Sequence, residues 1–266
     1  SVRAENNFTH LAISSQAPYI QSGYGIVYYN PFDVNHTNID NTTYDYTDLD
    51  NDGIVANASW SASCLYGGCY EFDGADDYIN VSSDPDFNFT KGGLSVFAWI
   101  KPISVASEMV VVSREIQFDD FGYRLTIGQS AGTIDCDFGA GGGFWPDYAS
   151  QSPGSNISAG EWAHIGCVYN ITDVNVYHNG EEVGRVLVGG NKPTNSSMDL
   201  WIGADVGNIG SSEFNGSIDE VMLFNFSLNT SQIRNIYKNN SKRFQFNGTQ
   251  GIHTVDTNIS AGVSSI

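Results

Sequence analysis

The sequence predicts an all-β chain, a two-sheet antiparallel sandwich with one short helix near its C-terminal end. Three observations lead there. Short runs of β-branched and aromatic residues recur between clusters of Gly, Asn, Asp and Pro, helical periodicity is almost absent, and the one clear turn signal is a hairpin signal. In chain order the runs are GIVYYN (25–30), CYEFD (69–73), DYINV (77–81), LSVFAWIKP (94–102), MVVVSRE (109–115), YRLTIG (123–128), TIDCDF (133–138), EWAHIGCVY (161–169), DVNVYHNG (173–180), VGRVLV (183–188), MDLWIGA (198–204) and SIDEVMLFN (217–225). His178-Asn179-Gly180 separates two of them, and a type I′ turn needs positive φ at both central residues, which Asn and Gly adopt most readily. The exception to the strand pattern is NTSQIRNIYKNN (229–240), with Asn229 or Thr230 as cap and Ile233, Ile236 and Tyr237 on one face. It is expected to pack at the sandwich edge.

At 266 residues the chain is long enough for one large domain. Lys plus Arg number 11 against 30 Asp plus Glu, a formal charge of −19, which disfavours phosphate backbones and anionic lipid. Nucleic acid and membrane insertion are therefore set aside as partners. Charged residues make up 15%, against about 25% for an ordinary soluble domain, so Asn, Ser, Thr, Tyr and Gly must cover much of the surface. The longest apolar run, LSVFAWI, is strand-sized and far short of the roughly 18 residues that span a bilayer. The start at Ser1, with no Met and no apolar leader, leads to the expectation of a mature form whose signal segment has been removed.

The acceptor pattern N-x-[ST] occurs at Asn7, Asn35, Asn41, Asn57, Asn80, Asn88, Asn156, Asn170, Asn195, Asn215, Asn225, Asn229, Asn239, Asn247 and Asn258, which is 15 of the 25 asparagines. With Ser and Thr at 43 of 266 positions, chance would give about four, so the excess points to a secreted or cell-surface chain carrying N-linked glycans. Four cysteines in such a chain are expected as two disulfides. Of the three connectivities, Cys64 with Cys69, flanking LYGG, and Cys136 with Cys167, in two strand-like runs, is preferred. Zinc is the alternative, disfavoured because there is no CxxC pair and no His at ligand spacing.

Several of these runs, taken in order, resemble a known family. YEFDGADDYINV (70–81), LSVFAWIKP (94–102), EWAHIGCVYN (161–170), VYHNGEEVG (176–184), LWIGAD (200–205) and FNGSIDEVMLFNFSLNTSQIRNIY (214–237) look like the laminin G-like jelly roll of the concanavalin A-like lectin and glucanase superfamily. The likeness covers about residues 24–238, leaving extended tails at 1–23 and 239–266. It implies a jelly-roll fold, a binding role directed at glycans or other proteins, and a structural calcium.

Within YTDLDNDGIV (46–55), Asp48, Asp50, Asp52 and Gly53 match the first half of a calcium loop, in which hard carboxylate oxygens surround a hard cation. The twelfth position, which should bring a bidentate Glu, is Ser59. The resemblance implies that the late DEV strand returns close to this loop, so Asp219, with Glu220 as helper, is expected to complete a structural calcium site. The plainer alternative is a solvated turn, since turns use the same residue types.

Catalysis is the minority reading. A retaining glycosidase needs two carboxylic acids about 5.5 Å apart, as E-x-D-x-E supplies on a strand. Glu71 and Asp73 are present, but the next acid is Asp76 and the closing Glu is missing. His164, beside Trp162, reads as a strand residue rather than a base. For ligand binding, the glycine-rich loop 139–155 offers Trp145 and Tyr148 as sugar platforms with Asp147 beside them, although large aromatics also serve plain packing. In the tails, alternating apolar residues would add to a sheet edge of their own domain or of a neighbouring copy, and head-to-tail exchange of the second kind builds filaments. The leading expectation is a secreted, glycosylated, non-enzymatic structural or adhesive subunit that polymerises by strand exchange. The alternative is a calcium-dependent lectin-like module, and a glycoside hydrolase is remote.

Overall fold

A computed structural model describes residues 25–35, 40–47, 49–89, 92–115, 121–128, 132–140, 148–152, 157–190, 195–205, 212–240, 245–247 and 251–253. The strands are β1 (Ile26–Asn30), β2 (Thr42–Thr43), β3 (Gly53–Ala56), β4 (Ser59–Ser61), β5 (Cys69–Asp73), β6 (Tyr78–Val81), β7 (Gly93–Pro102), β8 (Met109–Glu115), β9 (Phe121–Ile127), β10 (Ile134–Ala140), β11 (Tyr148–Gln151), β12 (Ala163–Asn170), β13 (Asp173–His178), β14 (Glu181–Leu187), β15 (Leu200–Ile202), β16 (Asn215–Phe224), β17 (Gln245–Asn247) and β18 (Gly251–His253). The helix α1 spans Thr230–Asn240.

Two antiparallel sheets carry the fold. Sheet A runs β14-β13-β12-β7-β16-β5-β4, with β1 also on β16, and sheet B runs β11-β10-β9-β8-β15-β6-β3-β2. Period-two alternation sends one set of side chains between the sheets. Val96, Ala98 and Ile100 of β7 meet Tyr123, Leu125 and Ile127 of β9 in one buried cluster with Ile165, Cys167, Ile218 and Val221. The disulfide Cys136–Cys167 joins β10 to β12 and so ties the two sheets together through this core, while Cys64–Cys69 closes a rim loop. The preferred connectivity is the observed one, and no described cysteine is free.

The hairpin turn is as expected, with Asn179 at φ 50° and Gly180 at φ 80°. Asn229 is the helix cap. Its Oδ1 accepts from the Gln232 N–H at 3.0 Å while Gln232 Oε1 accepts from the Asn229 N–H at 2.9 Å, so two helix-start donors are satisfied reciprocally.

The helix departs from the edge position expected of it. It covers part of the outer face of sheet A, where Ile233, Ile236 and Tyr237 pack over Phe97, Trp99, Met222 and Phe224. A second apolar stripe on that face, at Phe97 and Trp99 between core-facing Val96, Ala98 and Ile100, makes β7 apolar on both sides and requires the cover. In the C-terminal tail, β17 and β18 pair with each other and with neither large sheet.

Candidate functional site: two outer faces

The half of the sheet A outer face that α1 leaves open forms a cleft of about 530 Å³. Its floor is a row of side chains set by strand register. Ser59 on β4 pairs with Glu71 on β5, Glu71 with Ser217 on β16, and Ser217 with Lys101 on β7. Trp162 precedes Ala163, which pairs with Ile100, and so stands at the end of the row beside Lys101. All five face outward because their sequence neighbours Trp60, Phe72, Ile218, Ile100 and Ala163 pack in the core. Asp73, Asp77, Asn215, Ser63 and the exposed Ile103 complete the lining.

Adjacent strands lie about 4.8 Å apart, so Glu71 and Lys101 stand roughly 10 Å apart with Ser217 between them, and the whole row extends about 19 Å. One backbone feature lets the floor form. Gly216 sits at φ 145°, and a Cβ there would meet the Lys101 carbonyl oxygen at 2.3 Å, so no other residue allows β16 to approach β7 this closely. Neither Glu71 nor Lys101 forms an ion pair among the described residues. A half-buried indole, hydroxyls, an amide and charged groups free to rearrange make up a surface that stacks and hydrogen-bonds polar rings.

The outer face of sheet B is different. Asp135 and Asp137 on β10, Arg124 and Thr126 on β9, and Ser113 and Glu115 on β8 are all buried there, with Asp205 beyond β15. Arg124 is the hub, with Nε 2.9 Å from Asp137 Oδ2 and an Nη 3.1 Å from Glu108, 3.5 Å from Glu115 and 3.8 Å from Asp205. Ser113 donates to Asp205 Oδ1 at 2.7 Å. Among the described residues, both Glu115 oxygens, Asp137 Oδ1, Asp205 Oδ2 and Thr126 Oγ1 have no hydrogen-bond partner. Burial, with the Asp205 carboxylate beside it, pushes Glu115 up to about 9, so it is neutral at pH 7. Burial raises Asp137 to about 6 against the pull of Arg124.

The expected calcium residues are described only in part. Asp48 lies outside the described residues. Asp50 is exposed at φ 56°, and Asp52 Oδ1 accepts from the Asp45 N–H at 3.0 Å. The hub of this loop is Asp45, which the sequence reading did not single out. Its carboxylate accepts from the N–H groups of Tyr29, Thr47 and Asn51 and from the Thr47 hydroxyl. Asp219 is fully buried on β16 opposite Trp99, whereas Glu220 reaches toward the loop by accepting from the Tyr29 hydroxyl at 2.7 Å. Among the described residues, the three acids whose oxygens lie within 4.8 Å of one another are Asp73, Asp76 and Asp77. Because Asp48 lies outside the described residues, the calcium site of Asp48, Asp50, Asp52 and Asp219 is left as an expectation.

Of the expected sugar platform, Trp145 and Asp147 lie outside the described residues, and Tyr148 is placed by its backbone alone, opposite Phe138 at the sheet B edge. Among the sequons, Asn41, Asn57, Asn195 and Asn229 are exposed, and Asn35, Asn80, Asn170 and Asn215 are half-buried. Asn225 is a correction, since at 2% exposure its amide has no room for a glycan. Asn88 is engaged, its Oδ1 accepting from Arg114 and from the Ser196 N–H. Asn7, Asn156, Asn247 and Asn258 fall on residues whose side chains lie outside the description, as does that of Asn239. His164 is confirmed as a packing residue. Stacked on Phe97 at 8° and fully enclosed, it is driven down to about 3 by burial.

The match to a family model now joins this geometry, covering residues 73–234. The chain belongs to the concanavalin A-like lectin/glucanases superfamily. Among solved structures it is similar to the binding domain of Paraclostridial Mosquitocidal Protein 1, with a TM-score of 0.65 and 14% identity over 81% of this chain and 52% of that one. It is also similar to the binding domain of Botulinum Neurotoxin DC in complex with SialylT, with a TM-score of 0.59 and 12% identity over 81% and 52%. A botulinum neurotoxin type C structure, whose cell entry depends on interaction with two ganglioside molecules, gives 0.58 and 13% over 81% and 51%. The chain thus spans about half the length of these structures. No curated protein matches it. Among the described residues no helix is long and apolar enough to cross a membrane.

Proposed function

We propose that this chain is a non-catalytic, lectin-type module that binds glycans outside the cell through the open cleft on sheet A. The observation that carries the reading is the registered row Ser59, Glu71, Ser217, Lys101 and Trp162, which spaces hydrogen-bonding groups across four strands and ends on an accessible indole just before a fifth. Support comes from membership of a superfamily that includes lectins beside glucanases, and from similar domains that bind SialylT or interact with gangliosides. Two disulfides and the abundance of sequons fit an oxidising, extracellular setting. Self-assembly is left aside, because the described strands of the C-terminal tail pair with each other.

The test is a glycan array probed with protein produced without N-glycans, since Asn215 is both a sequon and part of the cleft. Trp162→Ala is expected to abolish binding while leaving the fold intact, and Trp145→Ala to retain it. Loss on Trp145→Ala with Trp162→Ala unaffected would move the site to the β10–β11 end of sheet B.

A further inference from the structure

The charge of the same cleft points to what kind of glycan it takes, an inference that rests on the binding reading above. Three carboxylates line it, from Glu71, Asp73 and Asp77, and Asp76 stands with the last two so that their oxygens lie within 4.8 Å of one another. Facing them is one cation, Lys101.

The hydrogen bonds that fix these acids do not neutralise them. Asp77 Oδ2 accepts from the Asp73 N–H at 2.8 Å, Asp73 Oδ1 from the Ala75 N–H at 2.9 Å, and Asp76 Oδ2 from the Asn57 amide at 2.9 Å. None forms an ion pair among the described residues. The sheet therefore holds negative charge in fixed positions along one side of the cleft, on a chain whose formal charge is already −19. A ligand carboxylate entering here meets like charge at close range, a repulsion that added salt screens. Lys101 is about 10 Å from Glu71 by strand spacing, far enough to meet a hydroxyl at one end of a sugar but not to cancel the acids at the other.

We propose that Glu71, Asp73 and Asp77 make this cleft selective for glycans without acidic groups, rejecting the same glycans when they end in sialic acid. Hydroxyl-rich neutral sugars supply the donors that these carboxylates accept, and sialic acid supplies another anion. The carboxylates therefore act as a repulsive filter as well as an attractive contact.

The test uses an array carrying matched pairs of glycans with and without terminal sialic acid, probed with the unglycosylated protein at low and at physiological salt. Neutral members are expected to bind about ten-fold or more tightly than their sialylated partners, with the ratio shrinking as salt rises. The double variant Glu71→Gln with Asp73→Asn is expected to weaken the neutral member, which loses its carboxylate acceptors, and to shrink the ratio between the two members of each pair, whereas an unchanged ratio would overturn the inference. Equal or tighter binding of the sialylated members by the unmodified protein would overturn the inference and leave the glycan-binding reading standing. Absence of binding to any member would instead overturn that reading, and the inference with it.

Discussion

The two outer faces of this sandwich place charged residues in opposite circumstances. On sheet A the row from Ser59 to Trp162 lies open, and Glu71 is exposed to water. On sheet B, Glu115, Asp137 and Asp205 are instead buried around a single guanidinium, that of Arg124. Burying a carboxylate costs several kcal/mol unless it is paired, so the sheet B cluster is a structural commitment, whereas the sheet A row can change partners at little cost. Residues able to exchange water for ligand are the ones suited to reversible binding.

Removing the hub of the closed face should have the largest effect. Arg124→Leu leaves Asp137, Glu108 and Asp205 without their cation and is expected to destabilise the protein by about 3–5 kcal/mol, read by chemical denaturation at pH 7. A loss below about 1 kcal/mol would mean that the face is more hydrated than its burial indicates.

Glu115 gives the next effect through pH. Its folded pKa, about 9, lies above the ordinary value of 4.5, so the folded state holds a proton that the unfolded state releases. Stability contributed by this group is full below pH 4.5 and falls as pH rises toward 9, by at most about 1.4 kcal/mol per pH unit. His164, lowered to about 3, acts in the opposite sense between pH 3 and 6.5, so the clean window is pH 7–9. Glu115→Gln cannot ionise and should be flatter across that window and more stable than the parent at its upper end. Parallel pH profiles for the two proteins would refute the assignment.

The smallest stability effect belongs to the open face. Ser217→Ala should change unfolding free energy by no more than about 0.5 kcal/mol while weakening glycan binding. A large loss of stability would show that the row is part of the fold rather than a surface laid upon it.

Much of the architecture was legible in the sequence because it depends on local signals. Recurring runs of β-branched and aromatic residues mark the strands, Asn179-Gly180 marks the hairpin, and Asn229-Thr230 marks the helix start. The helix position was misjudged because a strand apolar on both faces, such as β7, looks in sequence like any buried strand. The cleft was not legible as a unit. Glu71 and Trp162 were each noticed, but Ser59, Lys101 and Ser217 become their neighbours only through register across residues far apart in the chain. In the acidic loop, too, spacing alone does not name the partners. Three aspartates on alternate positions matched a metal pattern, while Asp45, one residue before the motif stretch, gathers the backbone hydrogen bonds. A signal was available, since Asp45-Tyr-Thr47 is a local Asx-type spacing.

The most direct measurement of the central claim is an amide and indole NMR titration of the unglycosylated protein with the tightest neutral glycan from the array. The account predicts shifts concentrated at the Trp162 indole, Lys101, Ser217 and Glu71, with the β8, β9 and β10 amides around Arg124 unmoved. Shifts centred on Tyr148 and the β10–β11 edge of sheet B, with Trp162 silent, would contradict it.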